Sequence, residues 1–252
     1  MKNKKIIALA AGAMAAVALI GGTLAYLTSS DNVTNTFTVG NVEIQTVEPN
    51  WPGNGDEEVT NVTPNKEIPK DPQIKNVGEN DAVMFMHVDI PLQHDLITAQ
   101  DDGTRNAAGD VELVKYRKTG GTYNSINTGW EELATTYIDA NGDVADQADA
   151  TAVRRLYGYN QKVAKDAQTV PVFDQIKIAN VIEGQIDNST QNIKITSYGI
   201  QADNITDIST AGTMSADTLK SVWNVYYNQN EASLPDSAAP QTSSTPEPTP
   251  EP

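Results

Sequence analysis

Nine residues, Ala82 to Ile90 (AVMFMHVDI), constrain the fold more than any others. Read with a strand's period of two, Met84, Met86, Val88 and Ile90 line one face, and Val83, Phe85, His87 and Asp89 line the other. Both faces are largely apolar, so the stretch reads as a strongly buried strand. Pro64, Pro69 and Pro72 precede it and forbid a central strand before Gln73. Further strands are expected at Val111 to Lys118, Val153 to Val163, Pro171 to Val181 and Asn192 to Gln201. The last alternates most cleanly, with Ile193, Ile195 and Ser197 against Lys194, Thr196 and Tyr198.

Two stretches carry helical spacing. Trp130, Leu133, Ala134 and Tyr137 predict a short helix over 130–137. Leu219, Val222, Trp223 and Tyr226 predict an amphipathic helix over 216–227, with Ser215 as its N-cap and Asp217 in its first turn. The expected class is all-β, a β-sandwich with one or two short helices.

The N-terminus has a different character. Lys2, Lys4 and Lys5 precede an uncharged apolar run from Ile6 to Ile20, and Gly21, Gly22, Thr23, Leu24 and Ala25 follow. A basic start, an apolar core and a small-residue exit describe a secretory signal peptide. Cleavage is expected between Ala25 and Tyr26. The alternative is a retained anchor, because Ile6 to Leu27 is uncharged and long enough to span a bilayer. The Gly-Gly exit and the approximation to A-x-A favour cleavage. Loss of the three lysines takes the formal charge from −16 to −19. So acidic a surface, without a basic cluster, excludes a nucleic-acid partner. The absence of cysteine excludes disulfide staples, so stability must come from a core of adequate size.

Downstream of the exit, Phe37 and Val39 alternate with threonines. Val42 and Ile44 alternate on the opposite parity. The shift falls at Gly40-Asn41, which must hold a bulge, a turn or a change of partner sheet. The expected domain organisation is a signal peptide over 1–25, a β-sandwich over 26–228, and a disordered Pro-rich tail over 229–252. Leu234 to Ala238 (LPDSA) loosely resembles a sortase signal, but no apolar stretch and basic end follow it.

The residues around the exit, GGTLAYLTSSDNVTNTFTVGNVEI, resemble the export signal and mature start of the TasA/camelysin family. The shared features are Gly21-Gly22-Thr23, an aromatic at Tyr26, and the pattern of Thr36, Phe37, Gly40 and Ile44. PNKEIPKDPQIKNVGENDAVMFMHVDI, VPVFDQIKI and ITSYGIQADNI are similar to later stretches of such chains; residues 95–165 carry no resemblance. The resemblance implies a jelly-roll sandwich, secretion, processing by a dedicated SipW-type signal peptidase, and a structural role. TasA-like proteins polymerise into fibres of the biofilm matrix, each subunit donating its N-terminal strand to the next. Here that strand would be 26–39, with Val33, Phe37 and Val39 filling acceptor pockets and Gly40-Asn41 as pivot. The chain's partner would be itself, head to tail. The open alternatives are a strand folded back on its own domain, a monomeric adhesion or binding module, and a secreted hydrolase.

No catalytic residues and no cofactor are expected. The chain lacks H-E-x-x-H, and its two histidines, His87 and His94, are seven apart rather than at the i, i+4 spacing of a helical zinc pair. The abundant carboxylates leave a glycoside-hydrolase pair open, but nothing singles one out. Asp139, Asn141 and Asp143 begin a calcium-loop pattern. It then fails at Val144 and Ala150, where glycine and glutamate belong. A solvated acidic loop is the expected reading.

Overall fold

The computed structural model describes residues 41–53, 59, 63–100, 102–186, 191–203 and 212–240. The chain divides into two compact units, Met1–Val39 and Gly40–Pro252, and every described residue belongs to the second. Its strands are β1 (Ile44–Val47), β2 (Glu67–Pro69), β3 (Gln73–Asn76), β4 (Ala82–Leu96), β5 (Gly109–Glu112), β6 (Val114–Arg117), β7 (Trp130–Ile138), β8 (Ala152–Tyr159), β9 (Gln175–Ile178) and β10 (Lys194–Gln201). One α-helix, α1 (Ala216–Asn230), follows.

The largest sheet is antiparallel, in the order β10-β4-β8-β7, with β5 paired to the far end of β4. A second sheet runs β2-β9-β6, and β1 pairs with β3. The fold is an all-β sandwich. Met84, Met86, Val88 and Ile90 of β4 join Tyr157 and Tyr159 of β8, and face Ile68, Ile74, Val114, Tyr116 and Ile176 of the smaller sheets. The opposite face of β4 presents Val83 and Phe85, which pack with Leu133, Leu156 and the helix residues Leu219, Trp223 and Tyr227. The strand expected at 82–90 is therefore central and sandwiched on both sides. It also runs six residues further, because Pro91 stays paired with Ala152 of β8 and Leu92 begins a ladder with β5.

Ser215 caps α1, its hydroxyl accepting from the Thr218 N–H at 3.1 Å, as its sequence position predicts. The helix approaches the sheet closely because Gly158 lies beneath it. A Cβ there would stand 2.9 Å from Leu133 Cδ1 and 3.2 Å from Leu219 Cδ1. Phe85 and Trp223 meet with ring centroids 5.3 Å apart. Fully burying one such side chain contributes roughly 1.5–3 kcal/mol.

Three expectations are corrected. Residues 130–137 form strand β7, not a helix. Its register with β8 shifts between Glu132 and Ala134, so Leu133 is the extra residue of a bulge. The bulge advances the apolar face by one residue and imitates helical spacing, while Thr135, Thr136 and Ile138 favour extended backbone. The strand expected at 111–118 is two strands. Leu113 is a fully buried corner whose N–H donates to Pro91 O and whose carbonyl accepts from Ala179 N, each at 2.9 Å, so the chain changes sheets there. The packed chain also continues past 228. The helix runs to Asn230, and Ser237 and Ala238 are buried, with Trp223 Nε1 donating to Ala238 O at 2.9 Å. Ser237 and Ala238 of the LPDSA stretch are thus packed into the domain, while Pro235 and Asp236 are exposed.

Candidate functional site

Asn41 is where the described chain begins, and its backbone is held firmly. Its carbonyl accepts from Glu79 N–H at 3.1 Å and Asn80 N–H at 3.3 Å. Glu43 O accepts from Val77 N–H at 2.9 Å and Gly78 N–H at 3.0 Å. The approach is close because residue 78 lacks a side chain. A Cβ on Gly78 would lie 2.5 Å from Glu43 N and 2.7 Å from Asn41 O. Beyond this clamp, Val42 and Ile44 lie across Gly199 of β10, where a Cβ would stand 2.9 Å and 2.6 Å from their methyl groups. Thr46 Oγ1 donates to Ser197 Oγ at 2.8 Å. The segment entering the domain is therefore seated on the face of β10.

β10 is itself an edge. Among the described residues it pairs with β4 alone. Eight residues long, it carries one charge, Lys194, and no proline. Its side chains from Ile195 to Ile200 are all half-buried. The other outer strands carry the features that discourage pairing. β7 has Glu131, Glu132 and the Leu133 bulge. β2 is three residues long and includes Pro69, which is tolerated at an edge. β6 has Lys115 and Arg117 in four residues. Among the described residues β10 is the least guarded of these edges, one residue shorter than β7 but with neither its acids nor its bulge, and it offers a template for an added strand.

Of the residues singled out from sequence, Ala25, Tyr26, Val33, Phe37, Val39 and Gly40 lie outside the described residues. Asn41 is placed as above.

The two histidines occupy separate environments. His87 is 3% exposed, wedged between Tyr198 and Trp223 with ring centroids 5.3 and 5.4 Å away. Burial, and then the Arg154 charge, push its pKa down to about 3, so it is neutral. His94 Nδ1 lies 2.7 Å from Asp110 Oδ1 and Nε2 lies 2.8 Å from Ala150 O. Both partners are acceptors, an arrangement that favours the protonated ring. The bond to Asp110, then that to Ala150, holds its pKa above the ordinary value.

Asp139 closes its own loop. Its Oδ1 accepts from Asn141 N–H at 2.8 Å and Asp143 N–H at 3.0 Å, and Gly142 takes a φ of 90°. The Asp143 N–H bond is the main reason its carboxyl lies below the usual range. These are the bonds of a side-chain-stapled turn. Among the described residues no group of three or more histidines, cysteines or carboxylates is placed to hold a metal.

The comparison with known families falls on this entry region. Residues 1–118 match the model of the camelysin metallo-endopeptidase family. Over that stretch the chain is similar to the camelysin family. The match spans the resembling junction, β1 to β6 and both histidines. A search of curated proteins finds no match to the chain. The family's name points toward an enzyme, contrary to the non-enzymatic expectation. The described residues do not fit a catalytic zinc. Both nitrogens of His94 are taken up by Asp110 and Ala150, His87 is buried between Tyr198 and Trp223, and no third ligand accompanies either among the described residues. No helix among the described residues is long and apolar enough to cross a membrane.

Sequence reasoning missed the edge and the clamp. Gly78 and Gly199 were the available signals, each a glycine beside or within an apolar alternation.

Proposed function

We propose that this chain, similar to the camelysin family over residues 1–118, is an exported structural subunit that assembles head to tail into extracellular fibres, residues 26–39 of one copy adding to the β10 edge of the next. Cleavage between Ala25 and Tyr26 would free the donor, and Val33, Phe37 and Val39 would supply its apolar face. The observation that carries the reading is the pairing of a clamped entry at Asn41 with an unguarded edge at β10. Each subunit offers one donor and one acceptor at different places, so the contact does not close on itself and growth is open-ended. Main-chain ladder bonds give affinity, and alternate side chains give specificity.

The test is the mature protein with and without residues 26–39. The intact form should elongate into filaments under the electron microscope, and the truncated form should not. A synthetic 26–39 peptide should slow hydrogen exchange at alternate β10 amides of the truncated form. Filaments from the truncated protein, or unchanged exchange on adding peptide, would sink the assembly mechanism.

The family's name favours a second reading, a metallo-endopeptidase. Proteolysis of an unfolded substrate by the purified chain, restored by zinc after chelation, would support it against the structural reading.

A further inference from the structure

On the far side of the β2-β9-β6 sheet from the core lies a cleft of about 890 Å3, lined by residues of β5, β6, β9 and the 98–106 segment. That is the size of a small-molecule site, roughly 300–1,000 Å3, but the lining is polar. Lys115 and Lys177 stand directly opposite each other across the β6–β9 ladder. Directly opposed like charges destabilise a sheet. Neither lysine forms an ion pair among the described residues. Lys177 is held in place with its ammonium 4.3 Å from the Tyr123 ring centre.

Two of the acids that line the cleft are already neutralised. Asp110 pairs with His94 at 2.7 Å, and Glu112 with Arg155 at 2.7 Å. Glu67, opposite Lys177 on its other side, has Arg117 at 2.6 Å. Asp102 remains charged, its carboxylate accepting from the Thr104 N–H at 2.8 Å. The amides are pre-oriented by one another. Gln100 Nε2 donates to Asn106 Oδ1 at 3.0 Å, and Asn180 Nδ2 donates to Ala99 O at 2.9 Å. The side-chain carbonyls of Gln100 and Asn180 take no hydrogen bond among the described residues and remain as acceptors.

We propose that this cleft binds an acidic saccharide, its carboxylate held between Lys115 and Lys177 and its hydroxyls by the surrounding amides and Asp102. An anion between the two lysines relieves their mutual repulsion. Hydroxyls suit a rim that offers both donors and acceptors. Neither β1 nor β10 lines the cleft, so the inference stands apart from the strand-donation reading.

The probe is a galacturonic acid tetramer, titrated calorimetrically into the full chain and into a form lacking 26–39. Binding by both forms is expected. Lys115→Gln and Lys177→Gln should each weaken it at least tenfold, and Lys194→Gln should leave it unchanged. The uncharged methyl ester of the tetramer should bind at least tenfold more weakly, and inorganic phosphate should not compete at equal concentration. No binding, equal binding of the ester, or indifference to both cleft lysines overturns the proposal. Equal competition by phosphate would reduce the cleft to a generic anion site and overturn it as well.

Discussion

Arg154 grips Asp89 bidentately across the β8–β4 ladder, Nε to Oδ1 and Nη2 to Oδ2 both at 2.7 Å, with both side chains buried. The third guanidinium nitrogen, Nη1, donates to Ser237 Oγ, and Ser237 in turn donates to Gly142 O. One buried charge pair thus ties the sheet, the β7–β8 connection and the C-terminal segment together. Breaking such a pair from one side costs about 3–5 kcal/mol, because the other charge is left unpaired. Asp89→Ala should lower the urea midpoint by that equivalent. Ser237→Ala should lower it by only about 1 kcal/mol, and it should raise exchange in residues 236–239 while the sheet stays protected. If Asp89→Ala is as mild as Ser237→Ala, the pair is solvated and the reading fails.

The Gly78 clamp makes a sharper claim. A Cβ there meets two backbone atoms, Glu43 N and Asn41 O, neither of which can rotate away. Gly78→Ala should therefore detach residues 41–43 and cost about 1–3 kcal/mol, as overpacking does. The amides of Gly78 and Glu79 should lose protection first. Gly109→Ala serves as control, since nothing lies within 4 Å of a Cβ at that position. Equal stability of the two variants would show that the entry segment is not seated as described.

The histidines predict a stability maximum near pH 6.5. His87, with its folded pKa lowered to about 3, stays neutral in the fold but charges when unfolded below 6.5. The unfolded state then binds more protons, so stability falls with pH, by about 3 kcal/mol at pH 4.5. His94 runs the other way. Its folded pKa is raised, so its contribution is complete below 6.5 and is lost as pH rises through that raised value. His87→Phe should flatten the acid limb between pH 6.5 and 4.5, and His94→Gln the alkaline one. An acid limb unchanged in His87→Phe would mean that the ring is not buried neutral.

Strand existence was legible where burial was two-sided or alternation was clean. The faces of 82–90 and of 194–201 are those their parity predicts, and Ser215 announced its helix. Leu133 defeated the reading because a bulge and a helix share local spacing, and only the β8 partner decides between them. Leu113 defeated it because a corner between two sheets looks like continuous strand. The packed segment 231–240 looked like tail because its burial depends on Trp223 and Arg154, which lie far away in sequence. The β10 edge and the Lys115–Lys177 pairing are facts of strand order and register, which composition does not encode.

Strand donation also predicts a cross-linking pattern, and the cysteine-free chain is a clean background for it. Phe37→Cys on one copy is mixed with a second copy carrying a single cysteine at each position from 194 to 201 in turn. A donor lying along β10 places its side chains alternately on the two faces. A disulfide requires Cβ atoms roughly 3.5–4.5 Å apart. Only positions of one parity should therefore cross-link, either the Ile195, Ser197 and Gly199 set or the Lys194, Thr196 and Tyr198 set. The product should be dimeric on a non-reducing gel. With both cysteines in one chain, the oxidised product should be a ladder of covalent oligomers. A monomer closed on itself would instead place residues 26–39 on their own domain. Cross-linking at every β10 position alike would mean collision rather than a ladder. The closed monomer would overturn donation between copies, and indiscriminate cross-linking would remove the β10 edge as the acceptor.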